Sequence, residues 1–266
     1  MNREQTLFDL TGQVVLVTGA GQGVGRGIAQ TLAAFGAAVA VNDYFLERAQ
    51  QVADEIEAAG GKAVAVQADV TDYASVARMF DDTRGALGAV DVLINNAGNA
   101  GAQPDRRDGP KPFWETEPED WRRFIGVNLD GVMHCSRLAL PDMIERRHGR
   151  VITIISEAGR CGEGHGLEAY SAAKAGAAGL MRGIARSVGR FGVTANSIAI
   201  SATETPAIAD ALTNTEFMKK VLASYVIRRV GQPTDVAAMA LFLASGASSW
   251  ITGQTYPVNG GFSFSM

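Results

Sequence analysis

A tyrosine and a lysine stand four residues apart in a stretch rich in alanine and glycine. Tyr170 and Lys174 occupy this spacing in the run Ala169-Tyr170-Ser171-Ala172-Ala173-Lys174. The composition predicts a helix, and residues four apart on a helix share a face. A cation beside a phenol favours the phenolate and lowers the pKa of the phenol, so the pair could transfer a proton. The spacing alone is weak evidence, because a surface helix can show it by chance.

The elements that must position this pair alternate along the chain. Short apolar runs rich in Val and Ile predict strands at Val14–Thr18, Ala38–Asn42, Ala63–Gln67, Val90–Asn95, Val151–Ile155, Val193–Ile200 and Thr255–Val258. Helical patterns lie between them at Val24–Phe35, Glu47–Ala59, Tyr73–Thr83, Glu119–Glu145, Glu168–Gly189 and Thr234–Ser245. Near-continuous apolar strands alternating with helices predict an α/β fold, a Rossmann-type doubly wound parallel sheet of about seven strands with helices on both faces.

No linker, repeat or low-complexity tract divides the 266 residues, so we expect a single dinucleotide-binding and catalytic domain over residues 1–266. Two stretches look like insertions within it. Asn99–Pro118 is rich in Pro, Gly and charge, and Ser201–Arg229 has a helical pattern of its own. Long loops in compact domains are usually functional. We therefore expect residues 201–229 to form a substrate-binding insertion.

A glycine-rich loop follows the first predicted strand and opens the first helix, in the run Thr18-Gly19-Ala20-Gly21-Gln22-Gly23-Val24-Gly25. Glycines let the backbone approach a pyrophosphate closely, and a helix N-terminus favours its negative charge. The alternative is a tight turn without a ligand. The strand before the loop, the helix after it and an acidic residue at the end of the next strand favour nucleotide binding.

That acidic residue is Asp43. A carboxylate there can accept hydrogen bonds from the adenosine ribose hydroxyls and would repel a 2′-phosphate. The loop carries Gln22 rather than a basic residue, and no basic residue follows Asp43 immediately. These features favour NAD over NADP as the cofactor. The competing interpretation is that Asp43 only caps the following helix.

The Thr-Gly-x3-Gly-x-Gly spacing resembles that of the short-chain dehydrogenase/reductase family. Further motifs similar to those of the family follow in order over nearly the whole chain: Asp69-Val70, Asn95-Asn96-Ala97-Gly98, then Asn128, Ser156, Tyr170 and Lys174, and finally Ile251-Thr252-Gly253-Gln254. Each motif is modest evidence, and their ordered conjunction is strong.

The resemblance implies a catalytic set of Asn128, Ser156, Tyr170 and Lys174. Tyr170 would be the general acid/base, Lys174 would lower its pKa and bind the nicotinamide ribose, Ser156 would hold the substrate oxygen, and Asn128 would hold a water linking Lys174 to solvent. Ser156 and Asn128 also have inert interpretations, as a turn residue and a buried helix kink. The implied cofactor contacts are Gly19, Gln22, Gly23, Val24, Gly25, Asp43, Asp69, Val70, Asn96, Ala97, Gly98, Tyr170, Lys174 and Thr203.

The chain also departs from the family pattern. The spacing from Ser156 to Tyr170 is slightly long, and the extra length falls in a glycine-rich loop, Gly159–Gly166, that should border the substrate pocket. Glu157 is unusual beside Ser156 and has no assigned role. Ile200-Ser201 replaces the Pro-Gly of the family, which makes Thr203 less certain as a cofactor contact.

Composition limits the partners. The formal net charge is −4, which argues against a nucleic-acid surface. No apolar run reaches the ~20 residues of a membrane span, and the first residues lack an apolar signal core. The two cysteines lack metal-ligand spacing, so we expect no metal and a reduced, cytoplasmic protein. The family resemblance suggests a homotetramer or homodimer.

Together these features predict an oxidoreductase that transfers a hydride between NAD(H) and a small-molecule secondary alcohol or ketone. Cyclic alcohols, steroid-like rings and hydroxyacyl thioesters are plausible substrates. Two alternatives stay open at this point. One is an NADP-dependent carbonyl or 3-ketoacyl-thioester reductase, and the other is a non-catalytic NAD-binding protein of the same fold.

Overall fold

A computed structural model of the chain describes residues 7–99, 111–164, 166–206, 213 and 215–264. The strands are β1 (Val14–Val17), β2 (Ala38–Asp43), β3 (Lys62–Gln67), β4 (Val92–Asn95), β5 (Gly149–Ser156), β6 (Val193–Ile200) and β7 (Thr255–Val258). The α-helices are α1 (Gly23–Ala34), α2 (Leu46–Ala58), α3 (Tyr73–Ala86), α4 (Pro118–Ile125), α5 (Gly131–Glu145), α6 (Ala158–Cys161), α7 (Glu168–Val188), α8 (Thr215–Ala223) and α9 (Pro233–Ala244).

The strands form one sheet in the order β3-β2-β1-β4-β5-β6-β7, and every pair in it is parallel. The chain reverses its direction of winding between β1 and β4. At such a switch point the loops after the two strands diverge and leave a crevice at the carboxyl ends, where ligands bind in open α/β sheets. The predicted fold, a single Rossmann-type domain, is confirmed.

Two hydrophobic layers cover the sheet, one on each face. Val15 and Val17 of β1 pack in the layer formed with α1, α2 and α9, whereas Leu16 packs in the layer formed with α3, α5 and α7. Successive side chains of a strand point to opposite faces, so a strand that is apolar at every position serves both layers. This explains the continuous apolar runs in the sequence.

The predicted helix Glu119–Glu145 contains an irregularity. Its helical path is continuous, but a π-helical segment, Gly126–Asp130, separates α4 from α5. Asn128 lies in this segment and is fully buried. Its side-chain Nδ2 donates to the carbonyl oxygen of Phe124 at 2.9 Å, which satisfies a backbone acceptor within the irregular turn. Single π turns of this kind are frequent at functional sites.

Of the helices that the structure describes, none combines the length and the apolar character that spanning a membrane would require.

Candidate active site

A cavity of about 960 Å³ lies along the carboxyl edge of the sheet. The glycine loop after β1, the ends of β2, β5 and β6, and the segment after β4 form its walls. Tyr170 and Lys174 reach it from α7. The two halves of the sequence prediction, the nucleotide loop and the Tyr–Lys pair, therefore face one continuous space.

Lys174 is buried in this cavity wall, with 5% of its surface exposed. Its Nζ donates to the carbonyl oxygen of Ile154 in β5 at 2.9 Å. The same Nζ lies 5.8 Å from the centre of the Tyr170 ring. Burial disfavours the ammonium and lowers the pKa of Lys174 to about 8. The amine is therefore close to its titration point in the range where many enzymes work.

Tyr170 is partly buried against Phe124, whose ring meets it edge-on at a centroid distance of 6.5 Å. Burial raises the pKa of Tyr170, and a hydrogen bond with the Ser156 side chain offsets part of the rise. We expected Lys174 to lower this pKa. In the structure the shift has the opposite direction, because loss of hydration on burial outweighs the hydrogen bond from Ser156.

Ser156 is the last residue of β5, so the strand delivers its hydroxyl directly to the cavity edge. Its Oγ accepts a hydrogen bond from the backbone N–H of Ala158 at 3.1 Å, at the start of α6. This contact, together with the hydrogen bond to Tyr170, fixes the direction of the hydroxyl. Strand β5 carries Ser156 and helix α7 carries Tyr170, so the fold brings together two residues that are distant in the sequence.

Asn128 approaches the same place from the π-helical segment. Its Nδ2 also donates to the carbonyl oxygen of Asn99 at 2.9 Å, and its Oδ1 accepts no hydrogen bond from the described residues. A Cβ added at Gly98 would lie 2.7 Å from Asn128 Oδ1 and 3.0 Å from Lys174 Nζ. The amide oxygen and the ammonium therefore flank the same glycine, and no larger residue fits there without displacing them.

The glycine loop is joined to the segment after β4 by Thr18 and Asn96. Thr18 Oγ1 accepts from the backbone N–H groups of Asn96 and Ala97, each at 3.0 Å. Asn96 Nδ2 donates to the carbonyl oxygens of Thr18 and Gly19, each at 2.9 Å. A Cβ at Gly19 would come within 2.8 Å of the Ala97 Cα. Close packing, rather than contact with a ligand alone, explains why a glycine is needed at Gly19.

The N-terminus of α1 opens into the cavity, which Gln22, Gly23, Val24 and Gly25 line. Gln22 occupies the N-cap position, and no side chain caps the helix there. The first N–H groups of a helix need acceptors, and phosphate oxygens supply them where the backbone can be approached. The uncapped terminus and its glycines therefore fit a bound pyrophosphate.

Asp43 ends β2 beside this loop and is nearly fully buried. Its Oδ2 accepts from the backbone N–H of Gly21 at 3.0 Å, and its Oδ1 accepts from that of Phe45 at 3.1 Å. The second contact resembles the capping role considered as an alternative, yet Asp43 also lines the cavity. Arg48 lines it too and lies over the Phe45 ring at 4.4 Å, so a basic residue borders the same cavity as Asp43.

Asp69 and Val70 line the cavity after β3. The carboxylate of Asp69 is turned toward its own loop, where Oδ1 accepts from the N–H and hydroxyl of Thr71 at 2.8 and 2.7 Å. Val70 is buried, and its carbonyl oxygen lies 3.0 Å from Nδ1 of His134. These contacts fix the wall of the cavity that follows β3.

The segment after β6, where the family's Pro-Gly is missing, is held by Tyr225. The Tyr225 hydroxyl lies 2.6 Å from Ser201 Oγ and accepts from the Ala202 N–H at 3.1 Å. Thr203 is buried, donates from Oγ1 to the Ser201 carbonyl oxygen at 3.0 Å, and lines the cavity. The predicted contact residue is therefore at the cavity, although its hydroxyl is engaged within the chain.

Arg48, Tyr225 and Phe262 line the cavity but were not predicted from the sequence, because no motif contains them. Thr18 was recognised as the start of the Thr-Gly spacing of the loop, but its bonds to the segment after β4 were not. Tyr225 and Phe262 reach the cavity from distant segments and pack edge-on with ring centres 5.8 Å apart. The glycine-rich loop Gly159–Gly166, expected to border the substrate pocket, contains His165, which lies outside the described residues. Within the described part of the chain, no group of three or more His, Cys, Asp or Glu side chains could hold a metal ion.

Comparison with known proteins identifies the family of the chain. A family model described as Enoyl-(Acyl carrier protein) reductase matches residues 19–263. The 7alpha-hydroxysteroid dehydrogenase of Escherichia coli (strain K12) is 38% identical over 252 residues, covering 95% of the chain and 94% of that protein. The chain belongs to the short-chain dehydrogenase/reductase family.

Other members of the short-chain dehydrogenase/reductase family differ in what their names say they act on. The 3-oxoacyl-[acyl-carrier-protein] reductase of Staphylococcus aureus (strain Mu50 / ATCC 700699) is 38% identical over 250 residues, covering 92% of the chain and 96% of that protein. The two relatives match the chain equally in percentage identity, so identity alone does not select a substrate.

Solved structures of short-chain dehydrogenases/reductases match the whole fold. A 7 alpha-hydroxysteroid dehydrogenase complexed with NADH and 7-oxo glycochenodeoxycholic acid has a TM-score of 0.89 and 36% identity, with 98% of both chains covered. A gluconate 5-dehydrogenase from Burkholderia cenocepacia J2315 in complex with NADP and tartrate has a TM-score of 0.89 and 32% identity, again with 98% of both chains covered.

The chain is accordingly a short-chain dehydrogenase/reductase that uses a nicotinamide dinucleotide and acts on a secondary alcohol or ketone. Cavity and family agree on the class of reaction. The identity of the nucleotide and of the substrate depends on residues of this chain.

Proposed function

We propose that the chain is an NAD-dependent dehydrogenase of a secondary alcohol, acting reversibly on the ketone, with Tyr170 as the general acid/base. The observation that carries the proposal is the convergence of Ser156, Tyr170 and Lys174 at the carboxyl end of β5, in the cavity that the glycine loop also lines. A non-catalytic protein of the same fold would not need the hydroxyl of Ser156, the phenol of Tyr170 and the buried amine of Lys174 at one place.

The proposed roles follow from where each group lies. Ser156 donates a hydrogen bond to the substrate oxygen and stabilises the charge that develops on it. Tyr170 accepts the hydroxyl proton during oxidation and returns a proton during reduction. Lys174 holds the nicotinamide ribose and favours the phenolate, and Asn128 Oδ1 holds a water that passes the proton toward solvent. When bound, the nicotinamide ring supplies the hydride acceptor in oxidation and the hydride donor in reduction.

The choice of NAD rests on Asp43. Its carboxylate borders the glycine loop, where it can accept from the ribose hydroxyls and repel a 2′-phosphate. Arg48 is the observation in favour of NADP, because it lines the same end of the cavity. The buried carboxylate is the nearer group to the loop backbone, and we give it the greater weight. Pyrophosphate would be held by the α1 N-terminus, and the adenine by Asp69 and Val70.

We propose that residues 201–229 form the substrate-binding insertion. Val221, Ser224 and Tyr225 of this stretch line the cavity, as do the apolar side chains of Leu167 and Phe262. An apolar lining of this kind suits a ring or acyl chain attached to the reacting carbon. The second candidate, a 3-ketoacyl-thioester reductase, is favoured by the Staphylococcus aureus relative. Turnover of cyclic alcohols against a β-hydroxyacyl thioester separates the two.

A cytoplasmic homotetramer, or a homodimer, remains our expectation from the family resemblance. Sedimentation equilibrium would give the assembly state, and cell fractionation would give the compartment.

The proposal is tested with Tyr170→Phe, which removes only the phenol hydroxyl. Formation of NADH is followed with a panel of secondary alcohols, and kcat should fall by roughly 10²–10⁴-fold while NAD affinity changes little. Tyr73→Phe is the matched control, since Tyr73 is exposed and packs on His134 outside the cavity. Equal rates in wild type and Tyr170→Phe would refute the mechanism. NAD binding without any turnover by the wild type would favour the non-catalytic alternative.

A further inference from the structure

The residue after Ser156 is a glutamate that the mechanism does not use. Glu157 is buried, with 3% of its surface exposed, although it carries a carboxylate and lines the active-site cavity. Its backbone N–H donates to the carbonyl oxygen of Ile200 at 2.9 Å, so its main chain bridges β5 and β6. A buried carboxylate is costly unless it is paired and hydrogen-bonded.

Both oxygens of this carboxylate are engaged. Arg160 Nη1 donates to Oε1 at 2.7 Å and to Oε2 at 3.0 Å. Ser263 Oγ donates to Oε2 at 2.5 Å, and Arg160 Nη1 also lies 2.8 Å from that hydroxyl oxygen. The Cys161 thiol lies 3.7 Å from Oε2. Glu157, Arg160 and Ser263 thus form a closed triangle, which joins the start of α6 to a residue 106 positions further along the chain.

The segment that Ser263 ends is also held by contacts within itself and with Ile227. Asn259 Nδ2 donates to the Ser263 carbonyl oxygen at 3.0 Å, and Asn259 Oδ1 accepts from the Gly261 N–H at 3.0 Å. Gly260 accepts from the Ile227 N–H at 2.8 Å. Two successive glycines, Gly260 and Gly261, have positive φ values of 60° and 80°, so the backbone turns sharply here. The turn brings Phe262 to the cavity.

Phe262 is the residue of this turn that meets the cavity. It lines the wall beside Tyr225, and the two rings meet edge-on. Tyr225 in turn holds Ser201, which belongs to the Ile200-Ser201 segment that replaces the family's Pro-Gly, and the adjacent Ala202. The position of the substrate wall therefore depends on residues 259–263, and those residues are tied to the catalytic strand through Glu157.

We propose that Glu157 is a positioning residue that, through Ser263, clamps residues 259–263 over the substrate end of the cavity and so sets the affinity for the alcohol. The inference rests on the proposed function, because the wall it positions is the wall of that substrate site. Glu157 acts through the two aromatic rings and not on the reacting atoms. Losing the clamp should therefore weaken substrate and transition state equally, which raises KM and leaves kcat nearly unchanged.

Two variants test the clamp without a large change of shape. Glu157→Gln keeps the volume and removes the charge, and Ser263→Ala removes one hydroxyl near the end of the described chain. Each should raise KM for the alcohol about tenfold, with kcat and the KM for NAD within about twofold of wild type. Ser263→Thr keeps the hydroxyl, so its KM for the alcohol should equal that of wild type. The double variant should be no worse than the single ones, because both remove the same link.

Hydrogen exchange gives a readout that needs no turnover. The amides of Ile227 and of residues 259–263 should exchange faster in Glu157→Gln and Ser263→Ala than in wild type. Glu55→Gln is the matched control for the first variant, since Glu55 pairs with Arg26 in a similar two-pronged way on the surface. Ser187→Ala matches the second, because Ser187 donates a single bond to the Gly183 carbonyl oxygen on α7.

The outcomes separate the clamp from the proposed function. Faster exchange together with the raised KM supports the clamp. Unchanged exchange, unchanged KM despite faster exchange, or a fall in kcat at constant KM would each overturn it. If wild type turns over no alcohol, the proposed function fails, and faster exchange would then still support the physical link between Glu157 and residues 259–263.

Discussion

The ammonium of Lys174 donates to the backbone carbonyl oxygen of Ile154 at 2.9 Å, two residues before the end of β5. This contact ties the face of α7 that carries Lys174 and Tyr170 to the strand that carries Ser156. The lysine is thereby held deep in the cavity wall, where burial lowers its pKa to about 8. The same bond holds the amine in a buried position, and burial lowers its pKa because the charged form loses its hydration.

The first prediction concerns stability and pH at Lys174. Its pKa is lowered from 10.5 to about 8 in the folded chain, so between these values the unfolded chain binds more protons and stability rises with pH. Below pH 8 the folded state holds a buried ammonium at a cost of roughly 3 kcal/mol. Lys174→Met removes the buried ammonium and its cost. The free energy of unfolding of this variant, measured in urea, should therefore exceed that of wild type at pH 7, and the difference should disappear by about pH 10.

The control for this measurement is Lys62→Met, which removes an exposed lysine from β3. It should follow the pH dependence of wild type throughout. A Lys174→Met variant whose stability difference from wild type stayed constant between pH 7 and pH 10 would contradict the lowered pKa.

The second prediction concerns the nucleotide. Asp43→Asn removes the charge that repels a 2′-phosphate and weakens acceptance from the ribose hydroxyls, while Arg48 stays in place. The ratio of NADP to NAD affinity should rise by roughly 10- to 100-fold, which corresponds to one charged hydrogen bond. Titration calorimetry with both nucleotides measures this ratio. Asp54→Asn, an exposed change on α2, should leave it unaltered.

The affinities of wild type for NAD and NADP also test the proposed role of Asp43 directly. Tighter binding of NADP than of NAD by the unmodified chain would show that Arg48, and not Asp43, decides the preference.

The sequence predicted the sheet and the positions that reach its edge because both depend on local patterns. Apolar runs identify buried strands, and the carboxyl ends of parallel strands meet at one edge, so Asp43 and Ser156 could be placed without coordinates. A buried helix kink at Asn128 was one interpretation of the sequence, but the π turn itself could not be predicted, because it depends on the side chain bonding to its own helix.

Contacts between distant segments also could not be predicted from the sequence. Glu157 and Ser263 are 106 positions apart, and neither belongs to a motif. Tyr225 and Phe262 likewise come from segments whose approach depends on two sharp glycine turns. Arg48 was overlooked because the helix α2, rather than adjacency in sequence, brings it to the cavity. Long-range packing therefore determines the substrate wall, whereas local patterns determine the cofactor half.

The last prediction concerns Gly98, where the geometry leaves no room for a methyl group. A Cβ there would lie 2.7 Å from Asn128 Oδ1 and 3.0 Å from Lys174 Nζ. Neither neighbour can retreat freely, since Asn128 is fully buried with two backbone bonds and Lys174 is bonded to Ile154. Gly98→Ala should therefore displace the amine, lower kcat/KM by about 10²-fold and cost roughly 1–3 kcal/mol of stability.

Gly183→Ala is the matched control on α7, because a Cβ added at Gly183 meets nothing within 4 Å. Replacing this glycine inside a helix should stabilise the chain by about 0.5–1 kcal/mol and leave kcat/KM unchanged. Steady-state rates and thermal melts of the two variants provide the comparison. If Gly98→Ala melted like wild type and kept its activity, the amide oxygen and the ammonium could move apart without cost, and the placement of Asn128 beside Lys174 would have no bearing on proton transfer.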